Sequence, residues 1–217
     1  MKKKEYSIEL GGKTLTAEFT DLAEQANGSV IMKYGNTTAL ITATMSKGEK
    51  ETDFFPLTVD YEERFYAAGE ILGSRFIRRE GRPTDEAVLS GRIVDRTIRP
   101  LFDPRCRRDV QVVITILSID EDDPDILAVI GASLALGTSD IPWNGPVSAV
   151  RIGKLLDTNH LIINPVYKDR AENPEFEMDL VACGKDGLVN MIEVGGKEVK
   201  ESVIVAGLEE ASKEIEK

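Results

Sequence analysis

Histidine occurs once and cysteine twice in 217 residues. One histidine argues against His-based metal or triad chemistry, and two distant cysteines, Cys106 and Cys183, form no Cys-x-x-Cys motif for zinc or dithiol exchange. So few thiols fit a reducing compartment, and the expected location is cytoplasmic. No apolar run approaches the roughly 18–20 residues of a spanning helix, so no membrane is expected as a partner. The basic start, Lys2-Lys3-Lys4, is not followed by the apolar stretch of a secretory signal. Internal repeats, low-complexity tracts and a convincing linker are also missing. What is present is ordinary globular material, 41% hydrophobic and 30% charged, and long enough to bury a sizeable core. That excludes a wholly disordered, collagen-like or coiled-coil chain.

The net charge of −11 by itself argues against nucleic acid. Its distribution argues the other way. Ten of the 13 arginines fall between Arg75 and Arg108, a stretch without lysine and with five acids, so it carries +5 while the remainder carries −16. Arginine without lysine is informative because the planar guanidinium grips phosphate or carboxylate with two parallel hydrogen bonds, which an ammonium does not.

Period-two alternation predicts strands over residues 6–10 and 14–19 around Gly11-Gly12, and over 29–33 and 38–45 around Gly35-Asn36. Residues 56–61 read as another strand. From 64 to 83 the periodicity disappears, and three glycines, five arginines and several aromatics make this a long functional loop. A helix follows over 84–99, capped by Thr84, with Asp85 and Glu86 in its first turn, ending at Pro100. Val88, Leu89, Ile93 and Ile98 are its expected core-facing side. Residues 110–119 are nearly all apolar and β-branched, as for a strand buried on both faces. An apolar helix over 125–136 opens at Asp123-Pro124, ends at Gly137, and contains Gly131-Ala132-Ser133 for close packing. Residues 147–152 with 160–163, and 178–183 with 188–194, read as hairpins, the second turning at Lys185-Asp186-Gly187. A last helix is expected over 197–217. Strands, helix, strand, helix, strands, helix make one α+β domain, a mixed sheet packed with helices.

On the helix 84–99, Arg92, Arg96 and Arg99 stand at i, i+4 and i+7 and share a face. Two readings stay open: a solvated face with local pairs Arg92–Asp95 and Asp95–Arg99, or a phosphate-binding face. The neighbouring loop interleaves Phe76 with Arg75, Arg78, Arg79 and Arg82, the mixture that single-stranded RNA uses for stacking and phosphate contacts. His160 sits in a polar turn and reads as a surface residue. The acidic run Asp120 to Asp125 lacks calcium-loop spacing, and its place before a helix suggests capping and solvation. Trp143 reads as a packing anchor.

Several motifs then carry a resemblance: Asp53-Phe-Phe-Pro-Leu-Thr-Val-Asp-Tyr61, Tyr66-Ala-Ala-Gly69, Phe76-Ile-Arg-Arg-Glu-Gly-Arg-Pro83, Asp95-Arg-Thr-Ile-Arg-Pro-Leu-Phe102, Ile130-Gly-Ala-Ser133 and Ile141-Pro-Trp-Asn-Gly-Pro146. In order and spacing they resemble the first RNase PH-like domain of the polynucleotide phosphorylase family, from about residue 6 to the final helix. The resemblance implies an RNase PH fold as a single domain over 1–217, with the helix from about 197 leading towards a linker. It implies the first half of a phosphate-dependent 3′→5′ exoribonuclease that releases nucleoside diphosphates. A second RNase PH-like half and a homotrimer around an RNA channel come with it. The channel loop of the family reads Phe-Phe-Arg-Arg; here it matches Phe76, Ile77, Arg78 and Arg79, with Arg75 inserted. By the same match Phe76, Arg78, Arg79, Arg82, Arg92, Arg96 and Arg99 are expected to bind RNA.

The catalytic version of the fold has a Gly-Gly-Thr-Arg-Thr phosphate site where this chain has Asp122-Asp-Pro-Asp-Ile126, which would repel phosphate. Its metal-binding aspartates match the stretches Arg170-Ala-Glu-Asn-Pro174 and Glu177-Met-Asp179. Glu172 is the sole carboxylate of the first. Glu177 and Asp179 share a strand face, open to one ion or simply polar. The expectation is no catalytic residue and no metal ligand in this chain, with Mg²⁺ held by the absent second half. Two other readings stand beside it. One is a stand-alone RNase PH-like phosphorolytic enzyme, the other an inert RNA-binding scaffold subunit of an exosome-like ring.

Overall fold

Alternating apolar residues build two sheets. The computed structural model describes residues 3–71, 73, 81–156, 158, 160–171 and 173–217. The first sheet contains β1 (Lys3–Leu10), β2 (Lys13–Thr20), β3 (Gly28–Tyr34), β4 (Thr37–Glu49), β5 (Leu57–Glu62) and β6 (Arg108–Ser118), in the order β1-β2-β3-β4-β6-β5. All its pairings are antiparallel except β5 with β6, which run parallel with Leu57 opposite Val110. Between those two strands lies α1 (Asp85–Ile98), the crossover that a parallel pair requires. The second sheet is antiparallel, ordered β10-β9-β7-β8, from β7 (Ser148–Leu155), β8 (Leu161–Ile163), β9 (Phe176–Lys185) and β10 (Leu188–Gly196). The α+β class and the mixed sheet are as the sequence predicts.

The hairpin turns follow from glycine. Gly11 and Gly12 (φ 58° and 79°), and Asp186 and Gly187 (φ 52° and 69°), supply two successive positive φ angles, the twist that two-residue hairpins need.

Helix α2 (Pro124–Gly137) joins the sheets. It packs on β3 and β4 and also meets β7. Gly131 permits the approach: a Cβ there would stand 2.5 Å from Ile41 Cδ1 and 2.9 Å from Met32 Cγ. The Ser133 hydroxyl accepts from the Val147 amide at 2.9 Å, fixing the entry into the second sheet. The main core runs through both sheets, with Ala149, Val181, Cys183 and Met191 joining it from the second. A smaller cluster lies where α4 (Glu201–Ile215) covers β7 and β9 through Ala211 and Ile215.

Four sequence expectations shift. β6 is not buried on both faces: Val110, Val112, Ile114 and Ile116 are buried, but Val113, Thr115 and Leu117 are half-buried, because only one face of this largely antiparallel sheet is fully covered. The last helix starts at Glu201, not at 197. A five-residue helix, α3 (Tyr167–Ala171), follows Pro165 where none was expected. Gly137 is the last helical residue of α2 rather than the stop beyond it. Thr138 caps the helix and donates its hydroxyl to Leu134 O at 2.7 Å.

Candidate functional site

The N-terminus of α1 is set as its sequence predicts. The Thr84 hydroxyl accepts from the Ala87 amide at 3.0 Å, and Asp85 and Glu86 follow in the first turn. Its buried side differs from expectation. Ala87, Gly91, Val94 and Ile98 make the inward stripe with Ile93, whereas Val88 and Leu89 are about half exposed. The reason is proximity to β5. Gly91 faces the strand, where a Cβ would be in ordinary contact with Tyr61 Cβ at 3.5 Å and Val59 O at 3.6 Å, and Val88 and Leu89 fall to either side, on the two clefts that flank the helix.

Between α1 and β5 runs a groove of about 420 Å³, to which Arg92, Asp95 and Arg99 contribute. Arg92 is exposed. Arg99 is committed to protein: its Nε and Nη2 donate to Asp95 at 3.0 and 2.6 Å, and its guanidinium also reaches Phe55 O at 3.3 Å and Leu57 O at 3.1 Å. The Asp95–Arg99 pair of the simpler reading is therefore present, and Arg99 ties the end of α1 to the start of β5. Arg96 is exposed and does not line the groove. Arg82 is exposed and lines a second cleft of about 450 Å³ with Arg64, Phe65, Glu63 and Glu70. Arg75, Phe76, Ile77, Arg78 and Arg79 lie outside the described residues.

On the other side of α1 a third cleft, about 370 Å³, contains an ionic network. Arg151 on β7 contacts Asp123 at 2.9 Å, Asp179 at 2.8 Å and Asp125 at 3.2 Å. Arg170 on α3 bridges Asp123 and Asp179, the latter at 3.2 Å, and stacks 4.6 Å from the Tyr167 ring centre. Three carboxylates thus face two guanidiniums. The expectation of solvation for the acidic run fails here: Asp122 and Asp123 are 4% and 8% exposed. Asp123 does cap α2, accepting from the Asp125 amide, but it and Asp122 are buried because cations come to them, Lys13 reaching Asp122 at 2.6 Å. Burial and the neighbouring Asp123 push the Asp125 carboxyl up to about 7, against opposing effects of Ser90, Arg151 and Arg170. Burial alone would lower the Arg151 guanidinium, but Asp123, Asp179 and Asp125 outweigh it and raise it. Arg151 Nε, Arg170 Nε and Asp179 Oδ1 are buried without a hydrogen-bond partner among the described residues.

The family profile of RNase PH, 3′ exoribonuclease family domain 1, matches residues 11–142. The chain belongs to the RNase PH family. Curated relatives are polyribonucleotide nucleotidyltransferases. That of Desulforamulus reducens is 50% identical over 202 residues, 93% of this chain and 26% of that protein. That of Exiguobacterium sibiricum is 48% identical over 207 residues, 95% of this chain and 27% of that protein. The chain therefore spans less than a third of the length of these relatives. Among solved structures, an Archaeoglobus fulgidus exosome with RNA bound to the active site is similar with a TM-score of 0.69 at 18% identity, covering 98% of this chain and 84% of that one. An archaeal exosome core gives a TM-score of 0.65, also at 18% identity, over 99% and 83%. At that identity these two establish the fold.

For an RNase PH family member, the occupants of the third cleft matter. Asp123, Asp125, Arg170 and Asp179 lie in the stretches that the resemblance sets against the phosphate and metal groups of the catalytic version, and here the three acids are engaged by the guanidiniums of Arg151 and Arg170. Glu177 is paired with Lys154 at 2.5 Å. A strand face that looked open to one ion is thus occupied by cationic side chains, and the described residues do not fit a Mg²⁺ site. Glu172 lies outside them. Arg151 was the residue sequence reasoning missed. The signal was available: a lone arginine amid Val147, Ala149, Val150 and Ile152 demands a buried anionic partner.

Proposed function

We propose that this RNase PH-family chain is the RNA-channel-forming, non-catalytic first half of a phosphate-dependent 3′→5′ exoribonuclease that degrades RNA to nucleoside diphosphates. The observation that carries the reading is the network of Arg151 and Arg170 with Asp123, Asp125 and Asp179. Phosphoryl transfer depends on cations and metal placed around the reacting phosphate. A cleft whose cations are already neutralised by carboxylates supplies neither. The near-50% identity to polyribonucleotide nucleotidyltransferases supports the enzyme class.

In this reading Arg92, Arg96 and Arg82, all exposed, hold phosphates, while Phe76, Arg78 and Arg79 grip incoming single-stranded RNA. Arg99 orients the α1 surface through its bonds to Asp95 and β5, and meets RNA with what its guanidinium has left. Mg²⁺ belongs to a second RNase PH-like half, and three copies of the full-length enzyme close a ring in the cytoplasm. No helix among the described residues is long and apolar enough to cross a membrane.

The test is phosphorolysis by the purified chain, with 3′-labelled single-stranded RNA, phosphate and Mg²⁺. The expected result is no nucleoside diphosphate, with salt-sensitive RNA binding. Arg78→Ala/Arg79→Ala should weaken that binding and flatten its salt dependence by roughly 0.7 in slope per lost phosphate contact. Release of nucleoside diphosphate that Asp179→Ala or Glu177→Ala abolishes would overturn the non-catalytic reading in favour of a stand-alone enzyme. An unchanged salt slope would remove the loop from the RNA path.

A further inference from the structure

The third cleft holds an odd number of acids. Asp123 and Asp179 are each shared by both guanidiniums, while Asp125 reaches only Arg151, at the longer distance of 3.2 Å. Asp125 sits in the first turn of α2, where the helix dipole favours its charge, but its side chain is only 13% exposed. Every element packed around it adds a group. Facing it are Asp123 from the loop before α2, Arg151 of β7, Asp179 of β9, and Arg170 with Tyr167 of α3. Glu86 with Ser90 of α1 and Glu193 of β10 line the same cleft, and Tyr61 of β5 senses the charge from the far side of α1. Two positive charges are set against the carboxylates of Asp123, Asp125 and Asp179, whose side chains are 6%, 13% and 28% exposed, and two acids at the rim.

We propose that Asp125 is a proton-operated switch in this cleft. Neutral, it leaves two guanidiniums balanced by two carboxylates; ionised, it adds an unmatched negative charge that weakens the packing of α1 on α2. Asp125 is the carboxylate placed to carry the proton, because Asp123 and Asp179 are each held by two guanidiniums. Its displacement up to about 7, caused first by burial and then by Asp123, agrees with that assignment.

The sign follows from linkage. An acid whose folded value is raised binds its proton more tightly folded than unfolded. The stabilisation is therefore fully present below the ordinary carboxylate range near 4 and is lost as pH rises through about 7. Between pH 6 and 8 the opening equilibrium of the unit containing α1 should rise about tenfold, the ratio that a folded value near 7 and an unfolded value near 4 produce. The one histidine, His160, is exposed in the turn before β8 and is absent from the cleft lining.

The experiment uses the whole 217-residue chain. The Asp125 side-chain carbon is followed by NMR from pH 4 to 8.5. Exchange of the α1 amides, corrected for intrinsic rates, is compared at pH 6 and 8 in the wild type, Asp125→Asn and His160→Gln. The expected results are a carboxyl midpoint near 7, α1 exchange about tenfold greater at pH 8 in the wild type and His160→Gln, and no such increase in Asp125→Asn. A midpoint near 4, or the same increase in Asp125→Asn, overturns the proposal. If Asp125→Asn fails to fold, the wild-type titration decides it alone. RNA is not needed for any of these readings, so the outcome is independent of the proposed function.

Discussion

Replacing Arg151 by methionine removes the centre of the ionic network while keeping an unbranched apolar stem. Arg151 is 6% exposed and meets Asp123, Asp179 and Asp125 at 2.9, 2.8 and 3.2 Å. In Arg151→Met, Asp123 and Asp179 keep Arg170 alone and Asp125 loses its guanidinium contact. Deleting one partner of a buried ion pair costs about 3–5 kcal/mol, chiefly because the remaining charge stays out of water. For a domain of about this size each kcal/mol moves the melting temperature by about 2–4 °C. A fall of roughly 6–20 °C is therefore expected at pH 7.5 by thermal denaturation followed by circular dichroism. Added salt should restore little of it, because buried pairs are weakly screened. The double variant Arg151→Met/Asp179→Asn should melt well above the sum of the two single losses, since it removes a charge together with its partner. A fall below about 2 °C in Arg151→Met would refute the account, since it would mean that the three acids have other compensation.

Four further outcomes are expected. Gly28→Ala should cost about 3 kcal/mol in a denaturant titration, because the new Cβ would stand 2.0 Å from the Ala135 carbonyl oxygen of α2, and backbone must move. Arg99→Lys should cost only about 1 kcal/mol, since its guanidinium is part-exposed, but it should detach the end of α1 from Phe55 and Leu57, visible as faster amide exchange there. Arg92→Ala and Arg96→Ala should leave stability within about 0.5 kcal/mol of wild type and each reduce the salt slope of RNA binding by about 0.7. Burial pushes the Cys183 thiol up to about 12, so iodoacetamide at pH 8 should spare it in the folded chain and modify it after unfolding, as mass spectrometry of the two thiols would read.

The predictions about α1 show how far local sequence reaches. Its start was legible because Thr84, Asp85 and Glu86 act within one turn on the amides beside them. Its buried side was not, because Val88 and Leu89 are excluded by where β5 lies, and β5 lies there through parallel pairing with β6. Arg92, Arg96 and Arg99 share a face by helix geometry, yet that geometry does not tell which of them finds a carboxylate and two carbonyls. The turns at Gly11-Gly12 and Asp186-Gly187 were legible for the reason α1's cap was: the chemistry is between adjacent residues.

The sequence by itself determined the class of elements, the family motifs and the arginine-rich island, all of which depend on residues close along the chain or on composition. The tertiary structure alone decided what became of the acidic run before α2. Its cationic partners come from β7, α3 and, through Lys13, β2, far away in sequence. An acid next to a helix looks solvated until distant cations are brought to it. Burial, charge balance and proton affinity at Asp125 are properties of that assembly, because the dielectric and the neighbours that set them exist only once the two sheets have closed on α2.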